Sequence, residues 1–377
     1  MLNIFKTIII GAGPGGLNAG RFLEDALILD QKKEIGKPVH CGEGISKVSL
    51  EKQGIKPDPS WTSAIIDITQ FISPSGKKLE IKGKESGFII DRVGFEKFLA
   101  SQSKAEILLG KRVVDVKLKN GIWEVKTEKG EIFKSKYLIG ADGSFSIVRS
   151  KVFNEKLRLL PTLEYLVELE KEIATSIMRL YFDQERFPSG YAWIFPKSKK
   201  TANIGLGGEK NLKEEFSYLM ERIVKKEFGN YKLLENKSGV ISWGGAKIKL
   251  FKNNAFLVGD AGGLVDPIFG GGINNAMISG KIAADCINSG EANLYEKKIK
   301  SLPFFSQDLL LAQKILYSLP NPVLDELAEI EIKSILSTTS VFSILSEFLS
   351  KPALRKNFLK FLKLFLILKK NIGSFAV

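Results

Sequence analysis

Three groups of residues have the types and the spacing to do chemistry. The first is Gly11-Ala12-Gly13-Pro14-Gly15-Gly16, which follows an apolar run at residues 7–10 and precedes a stretch of helical character at 17–24. Gly11 permits a tight turn, Gly13 lets the backbone approach a pyrophosphate, and Gly16, next to Gly15, lets the helix pack close to the strand. The helix N-terminus adds free N–H groups and a partial positive charge. Asp30 closes a second apolar run at 26–29, where a carboxylate accepts hydrogen bonds from ribose hydroxyls. The order strand, glycine turn, helix, strand, acid predicts a dinucleotide site, but does not choose between FAD and NAD(P).

The second group is Cys41 with its neighbours His40, Gly42 and Gly44, inside a stretch at 31–46 that has no hydrophobic period. Glycines there let backbone approach a flat ring; the alternative is a glycine-rich turn with an inert cysteine. The third is Tyr191, Trp193 and Phe195, alternating along one strand face ended by Pro196. They form either the wall of an apolar pocket or a packed sheet face. A second glycine unit comes late. Gly259 and Asp260 end a strand, Gly270-Gly271-Gly272 make a turn, and a helix runs from Ile273 to residue 287. Its N-terminus again aims N–H groups at something anionic, which fits a large cofactor held at both ends. Arg92, at a strand–helix junction, can reach a phosphate or ribose, or else pair with Asp91 or Glu96.

The elements that position these groups read as an α/β protein. A Rossmann-like nucleotide-binding domain is built from segments 1–70, 101–160 and 246–290. The middle segment carries a small antiparallel meander turning at Asn120-Gly121. Residues 71–100 insert toward the substrate domain and return by a helix. Residues 161–245 form an antiparallel-sheet substrate domain, with a short strand expected at 239–245 and an amphipathic helix at 212–228. Residues 291–377 are mostly helical.

Composition narrows the classes. The chain has 377 residues, 44% hydrophobic and 26% charged, with two cysteines, one histidine and a net charge of +14. Two cysteines exclude a cysteine-ligated four-iron cluster, and a single histidine excludes a His-rich metal site; no metal is expected. Nothing in the spacing supports a Cys41–Cys286 bond, and a reducing cytosol is the default. The positive charge points to an anionic partner or to a solvated lysine-rich surface. No RNA-binding motif accompanies it, so nucleic acid ranks last. No signal peptide and no apolar run of about 20 residues are expected. From Lys351 to Lys370 every charge is positive. Leu354, Phe358, Phe361, Leu362, Phe365 and Leu368 share one helical face. That predicts an in-plane helix on the anionic inner surface of the membrane, or a helix docked on the protein body.

Taken together, Gly11–Gly16 with Asp30, Ala141-Asp142-Gly143, and Gly259-Asp260 with Gly270–Ile273 resemble the FAD-dependent oxidoreductases of the p-hydroxybenzoate hydroxylase fold, over roughly the first 290 residues. The resemblance implies FAD as the cofactor. It places Asp30 at the adenosine ribose, Val113 near the adenine, Arg92 and Asp260 near the pyrophosphate and ribityl chain, and Gly272-Ile273 at the isoalloxazine. Within that fold the chain looks most like the geranylgeranyl reductase family. The residues that carry this are Pro38-Val39-His40-Cys41-Gly42-Glu43-Gly44-Ile45-Ser46 and Tyr191-Ala192-Trp193-Ile194-Phe195-Pro196. It departs from the family pattern at His40, where an arginine is common.

The implied reaction is reduction of isolated double bonds in a geranylgeranyl chain of a membrane lipid precursor. An unactivated alkene is a poor hydride acceptor, so the site must protonate it early or hold it within about 3–3.5 Å of the donor. Aromatic walls such as Tyr191 and Trp193 bind the chain and stabilise positive character. Cys41, Tyr191 and a bound water are the candidate acids, with His40 a weaker one beside the substrate. The electron donor is a ferredoxin or NAD(P)H. The competing readings are a flavoprotein monooxygenase or halogenase, a quinone-directed electron-transfer flavoprotein dehydrogenase, and a non-catalytic prenyl-lipid carrier.

Overall fold

Near-continuous apolar runs suit strands buried on both faces, and they build the first sheet. In the computed structural model, residues 4–243, 247–302, 305–330 and 350–371 are described. β1 (Ile4–Ile10) lies between β2 (Ala26–Asp30) and β9 (Ile132–Gly140), parallel to both. The parallel array extends to β6 (Glu106–Leu109) beyond β2 and to β16 (Ala255–Leu257) beyond β9. β15 (Phe251–Lys252) closes that edge. β7 (Val113–Lys119) and β8 (Ile122–Thr127) form the meander, turning where Asn120 and Gly121 both have positive φ (51° and 76°). β9 joins the two parts: its first half pairs antiparallel with β8, its second half parallel with β1.

The second sheet runs β14 (Tyr231–Trp243), β10 (Arg158–Leu169), β13 (Thr201–Gly207), β12 (Tyr191–Pro196), β11 (Ile177–Tyr181), β4 (Thr62–Ile72), β5 (Lys78–Ile90), β3 (Gly44–Ser46). All pairings are antiparallel except β11 with β4. One face packs on a helical run made of α4 (Leu212–Tyr218), a π segment (Leu219–Val224) and α5 (Lys225–Phe228). The opposite face packs on α8 (Gln307–Leu316), α9 (Asn321–Leu327) and two further helices at Pro352–Lys356 and Phe358–Asn371. α1 (Pro14–Gly20), α3 (Arg92–Ser101), α6 (Ile273–Asn288) and α7 (Tyr295–Lys300) surround the first sheet, and α2 (Lys47–Lys52) follows β3.

Several expectations change. α1 starts at Pro14, whose fixed φ suits a first helical position, and it ends at Gly20 rather than near Glu24. The chain leaves the first sheet well before residue 70, because β3 and β4 already belong to the second. β14 spans 13 residues rather than the short strand expected at 239–245; Gly244 and Gly245 lie outside the described residues. Among the described side chains of the last helix the buried ones are Leu364 and Ile367, with Phe361 and Phe365 packed beside them, while Leu359 (78% exposed) and Leu366 (56%) face outward. The helix is apolar on two sides, so the burial stripe is rotated from the one read in the sequence. The side chain of Leu368, and the expected helix at 331–349 and 372, lie outside the described residues.

Candidate active site

The glycine turn does what its spacing requires. Gly11 has φ +109°, and a Cβ there would stand 2.2 Å from the Ala141 carbonyl. A Cβ on Gly16 would stand 1.9 Å from the Gly11 carbonyl, so only glycine brings α1 down onto β1. Gly13 has nothing within 4 Å and opens on a cavity of about 970 Å³ between the two sheets. Gly15 packs against α6, where a Cβ would lie 3.2 Å from the Ala276 carbonyl. Asp30 accepts from Ala12 N (2.5 Å) and Lys32 N (2.7 Å), which fixes its carboxylate at the rim of the turn.

The cavity gathers nearly all the residues singled out in the sequence. Gly11, Gly13, Gly15, Asp30, His40, Cys41, Gly42, Gly44, Arg92, Val113, Asp142, Tyr191, Trp193, Phe195, Gly259, Asp260, Gly271, Gly272 and Ile273 line it. Gly16 does not; it is a packing residue. Asp142 lines the wall, but its carboxylate is engaged with the Ser146 hydroxyl (2.5 Å) and the Ile147 amide (2.7 Å), closing its own turn. Asp260 accepts from Ser144 Oγ at 3.2 Å. Burial pushes both acids' pKa values up.

Arg92 pairs with Glu96 at 2.5 Å, yet its buried Nε has no hydrogen-bond partner. Asn275 Nδ2, at the start of α6, is also buried without one. Both residues line the cavity. Buried donors left unpaired cost about 1–3 kcal/mol each, a cost that an oxygen-rich ligand held beside these residues would relieve. The residues present therefore fit a dinucleotide.

At the other end, Tyr191, Trp193 and Phe195 stand in a row, with ring centroids 5.9 and 6.2 Å apart. Ile66, Met178, Leu180 and Phe269 extend that wall. The Cys41 loop sits directly on it: a Cβ at Gly42 would lie 3.0 Å from the Phe195 ring and 3.1 Å from Trp193 Nε1. Burial raises the Cys41 pKa, and the facing Arg92 guanidinium opposes that shift. Tyr191 donates its hydroxyl proton to the Phe269 carbonyl at 2.5 Å, and burial pushes its pKa up. That bond holds the Asp266–Gly271 turn, which Asp266 closes by accepting from Ile268 N and Phe269 N. His40 is exposed at the rim beside Gly239. What burial it has lowers its pKa, assisted by Lys237 and Lys32 and opposed by Glu235.

Sequence reading missed Glu43, and with it a buried polar network. Glu43 adopts φ +68°, which costs a non-glycine residue roughly 1–2 kcal/mol. Its carboxylate accepts from Lys197 Nζ (2.5 Å), Asn203 Nδ2 (2.6 Å) and Arg92 N (2.9 Å), and its carbonyl accepts from Ile90 N (2.9 Å). These bonds clamp the Cys41 loop to the β5–α3 junction and to the second sheet. The network continues from Asn203 to Lys237 (3.3 Å) and from Lys237 to Glu164 (3.3 Å). The only signal was charged residues on β10 and β14, Glu164 and Lys237 among them.

A glycine cradle at the carboxyl ends of a parallel sheet, opening into an aromatic-walled cavity on a second sheet, defines an oxidoreductase of the flavoprotein fold. A flavin-dependent brominase shares that fold at 18% identity and a TM-score of 0.66, with 95% of this chain and 99% of the other covered. The geranylgeranyl reductase catalytic domain profile matches residues 160–241. A digeranylgeranylglycerophospholipid reductase of Methanocella arvoryzae is 34% identical, over 78% of this chain and 81% of its own. The one of Methanocaldococcus jannaschii is 31% identical, over 87% of this chain and 90% of its own. A geranylgeranyl bacteriochlorophyll reductase-like protein of Thermoplasma acidophilum superposes with a TM-score of 0.80 at 27% identity, covering 96% of this chain and all (100%) of that one. The chain belongs to the geranylgeranyl reductase family.

Proposed function

We propose that the chain is an FAD-dependent reductase that saturates isolated double bonds in the geranylgeranyl chains of a membrane glycerophospholipid. The observation that carries this is a single cavity with two unlike ends, one a glycine cradle with unpaired donors and the other an aromatic wall. Gly11, Gly13, Gly15, Asp30, Arg92, Val113, Asp260, Asn275 and Gly271–Ile273 would hold FAD, which when bound and reduced supplies hydride.

The chain's own residues do the rest. Tyr191, Trp193 and Phe195 bind the prenyl chain, exclude water and offer π faces to positive character at carbon. Cys41, a thiol whose pKa burial raises, lines the cavity on the loop that sits against that wall. Tyr191 directs its proton at Phe269, so its role is to fix the turn at the cavity mouth. The test is an aerobic and an anaerobic assay on the yellow protein with a geranylgeranyl phospholipid. Saturation that persists without oxygen supports a reductase; oxygen-dependent NAD(P)H consumption with an oxygenated or halogenated product supports the monooxygenase class.

Electrons come from a ferredoxin or NAD(P)H, and the net charge of +14 favours an acidic carrier. Reduction rates that fall steeply with ionic strength support the carrier. No helix among the described residues is long and apolar enough to cross a membrane. The outward Leu359 and Leu366, flanked by exposed Arg355, Lys356, Lys360 and Lys363, fit contact with the anionic inner leaflet instead. Flotation with anionic but not zwitterionic vesicles, lost in Leu359→Glu/Leu366→Glu, supports this; no flotation refutes it.

A further inference from the structure

Lys237, Glu164, Gly205 and Trp193 stand in one row across four adjacent strands. Glu164 on β10 opposes Lys237 on β14 and Gly205 on β13, and Gly205 opposes Trp193 on β12. Gly205 has no side chain, and a Cβ there would stand 2.4 Å from Trp193 Cζ2. The indole therefore lies across β13 and donates Nε1–H to Glu164 Oε2 at 3.2 Å. The other carboxylate oxygen is 3.3 Å from Lys237 Nζ. Glu164, Trp193 and Lys237 are all buried and all line the cavity.

We propose that Glu164 holds and delivers the proton that saturation of the double bond consumes. This rests on the cavity being the reduction site. Saturating one C=C bond takes a hydride on one carbon and a proton on the other. The hydride, with its electron pair, is what the reduced cofactor supplies. The Glu164 O–H bond breaks, its electron pair stays on the carboxylate, and the proton forms the second C–H bond. The anion left behind has Trp193 N–H and Lys237 already in place to stabilise it. Solvent returns the proton along Glu235, whose side chain is 48% exposed and lies 3.8 Å from Lys237.

The charge surroundings agree with this role. Burial, the largest influence, and the nearby Glu43 raise the Glu164 pKa; Lys237 and the Trp193 N–H lower it, leaving it at about 7. The groups facing it are Lys237 and Glu235 on β14, Glu43 and Cys41 on the loop, with Lys197 behind Glu43 and His40 above Lys237. Glu43 is already engaged by three donors and acts as the fixed acceptor of the network. Glu164 is the carboxyl that gains and loses the proton.

The Trp193 indole N–H reports directly on its acceptor. The holoenzyme is labelled with ¹⁵N-tryptophan, and the Trp193 resonance is assigned with Trp193→Phe. It is expected to titrate once near neutrality in the native protein and to stay flat in Glu164→Gln. Lipid reduction per reduced enzyme is expected to fall about 10²–10⁴-fold in Glu164→Gln, with KM little changed and partial recovery in Glu164→Asp. A Trp193 resonance that does not move between about pH 5 and pH 9, or a Glu164→Gln enzyme with the native rate, overturns the proposal. If Glu164→Gln does not fold, the native titration and Glu164→Asp kinetics decide it. If the native enzyme reduces no prenyl lipid, the reduction reading fails, and a titrating resonance still places the proton on Glu164.

Discussion

The indole nitrogen of Trp193 lies 3.2 Å from the Glu164 carboxylate, with only Gly205 on the strand between them. An aromatic wall residue is thereby tied to a buried acid, and the orientation of one depends on the charge of the other. Gly205→Ala should break this. The added Cβ meets the indole at 2.4 Å and the Leu163 carbonyl at 2.9 Å. Overpacking of this kind costs about 1–3 kcal/mol. Thermal unfolding should show a modest loss, while lipid turnover falls much further. Native turnover in Gly205→Ala would mean that the indole position does not matter.

The glycine turn makes two opposite predictions. Gly13→Ala places a methyl in open space, so it should unfold like the native protein but purify with far less flavin. Gly16→Ala drives a methyl into the Gly11 carbonyl at 1.9 Å, so it should lose stability whether or not cofactor is added. Flavin-to-protein ratios beside melting curves separate the two. Full flavin content in Gly13→Ala would remove that residue from the cofactor cradle.

Cys41 should behave as a half-buried thiol with a raised pKa. Its pKa is raised by burial, so little thiolate exists near neutrality, and alkylation by iodoacetamide should be slow there and accelerate only well into alkaline pH. Cys41→Ala and Cys41→Ser should lower turnover while flavin stays bound. Unchanged turnover in both would exclude the thiol from the chemistry.

Glu164 should also mark the pH dependence of stability. Its folded pKa, at about 7, lies above the ordinary glutamate value of 4.5, so the folded state binds the proton more tightly than the unfolded one. The contribution is therefore fully present below about 4.5 and is lost as pH rises through about 7. Melting temperature measured against pH should fall across that window relative to Glu164→Gln. A difference of opposite sign would show that Lys237 dominates and that Glu164 is ionised throughout.

The cofactor half of the site was legible in the sequence because its chemistry is local. Gly11, Gly13 and Gly16 answer to one turn, and Asp30 ends the strand beside it. The polar half was not. Glu164, Asn203 and Lys237 are far apart in the chain and meet only through strand register, and an alternating charged residue on β10 looks the same whether its face meets water or a cavity. Glu43 was hidden for a related reason: its left-handed backbone and its partners Lys197 and Arg92 appear only when the loop is folded against both sheets. The long β4–β5 hairpin escaped notice because Lys78, Glu80, Lys82, Lys84 and Glu85 interrupt the apolar positions of the first half of β5.

The most direct measurement of the central claim is a single turnover. The anaerobic holoenzyme is reduced with one equivalent of dithionite and mixed with a geranylgeranylated glycerophospholipid, and the extracted lipid is weighed by mass spectrometry. One two-hydrogen increment per reduced flavin is expected, with the flavin band returning in step. An unchanged lipid mass, with the flavin still reduced, would contradict it.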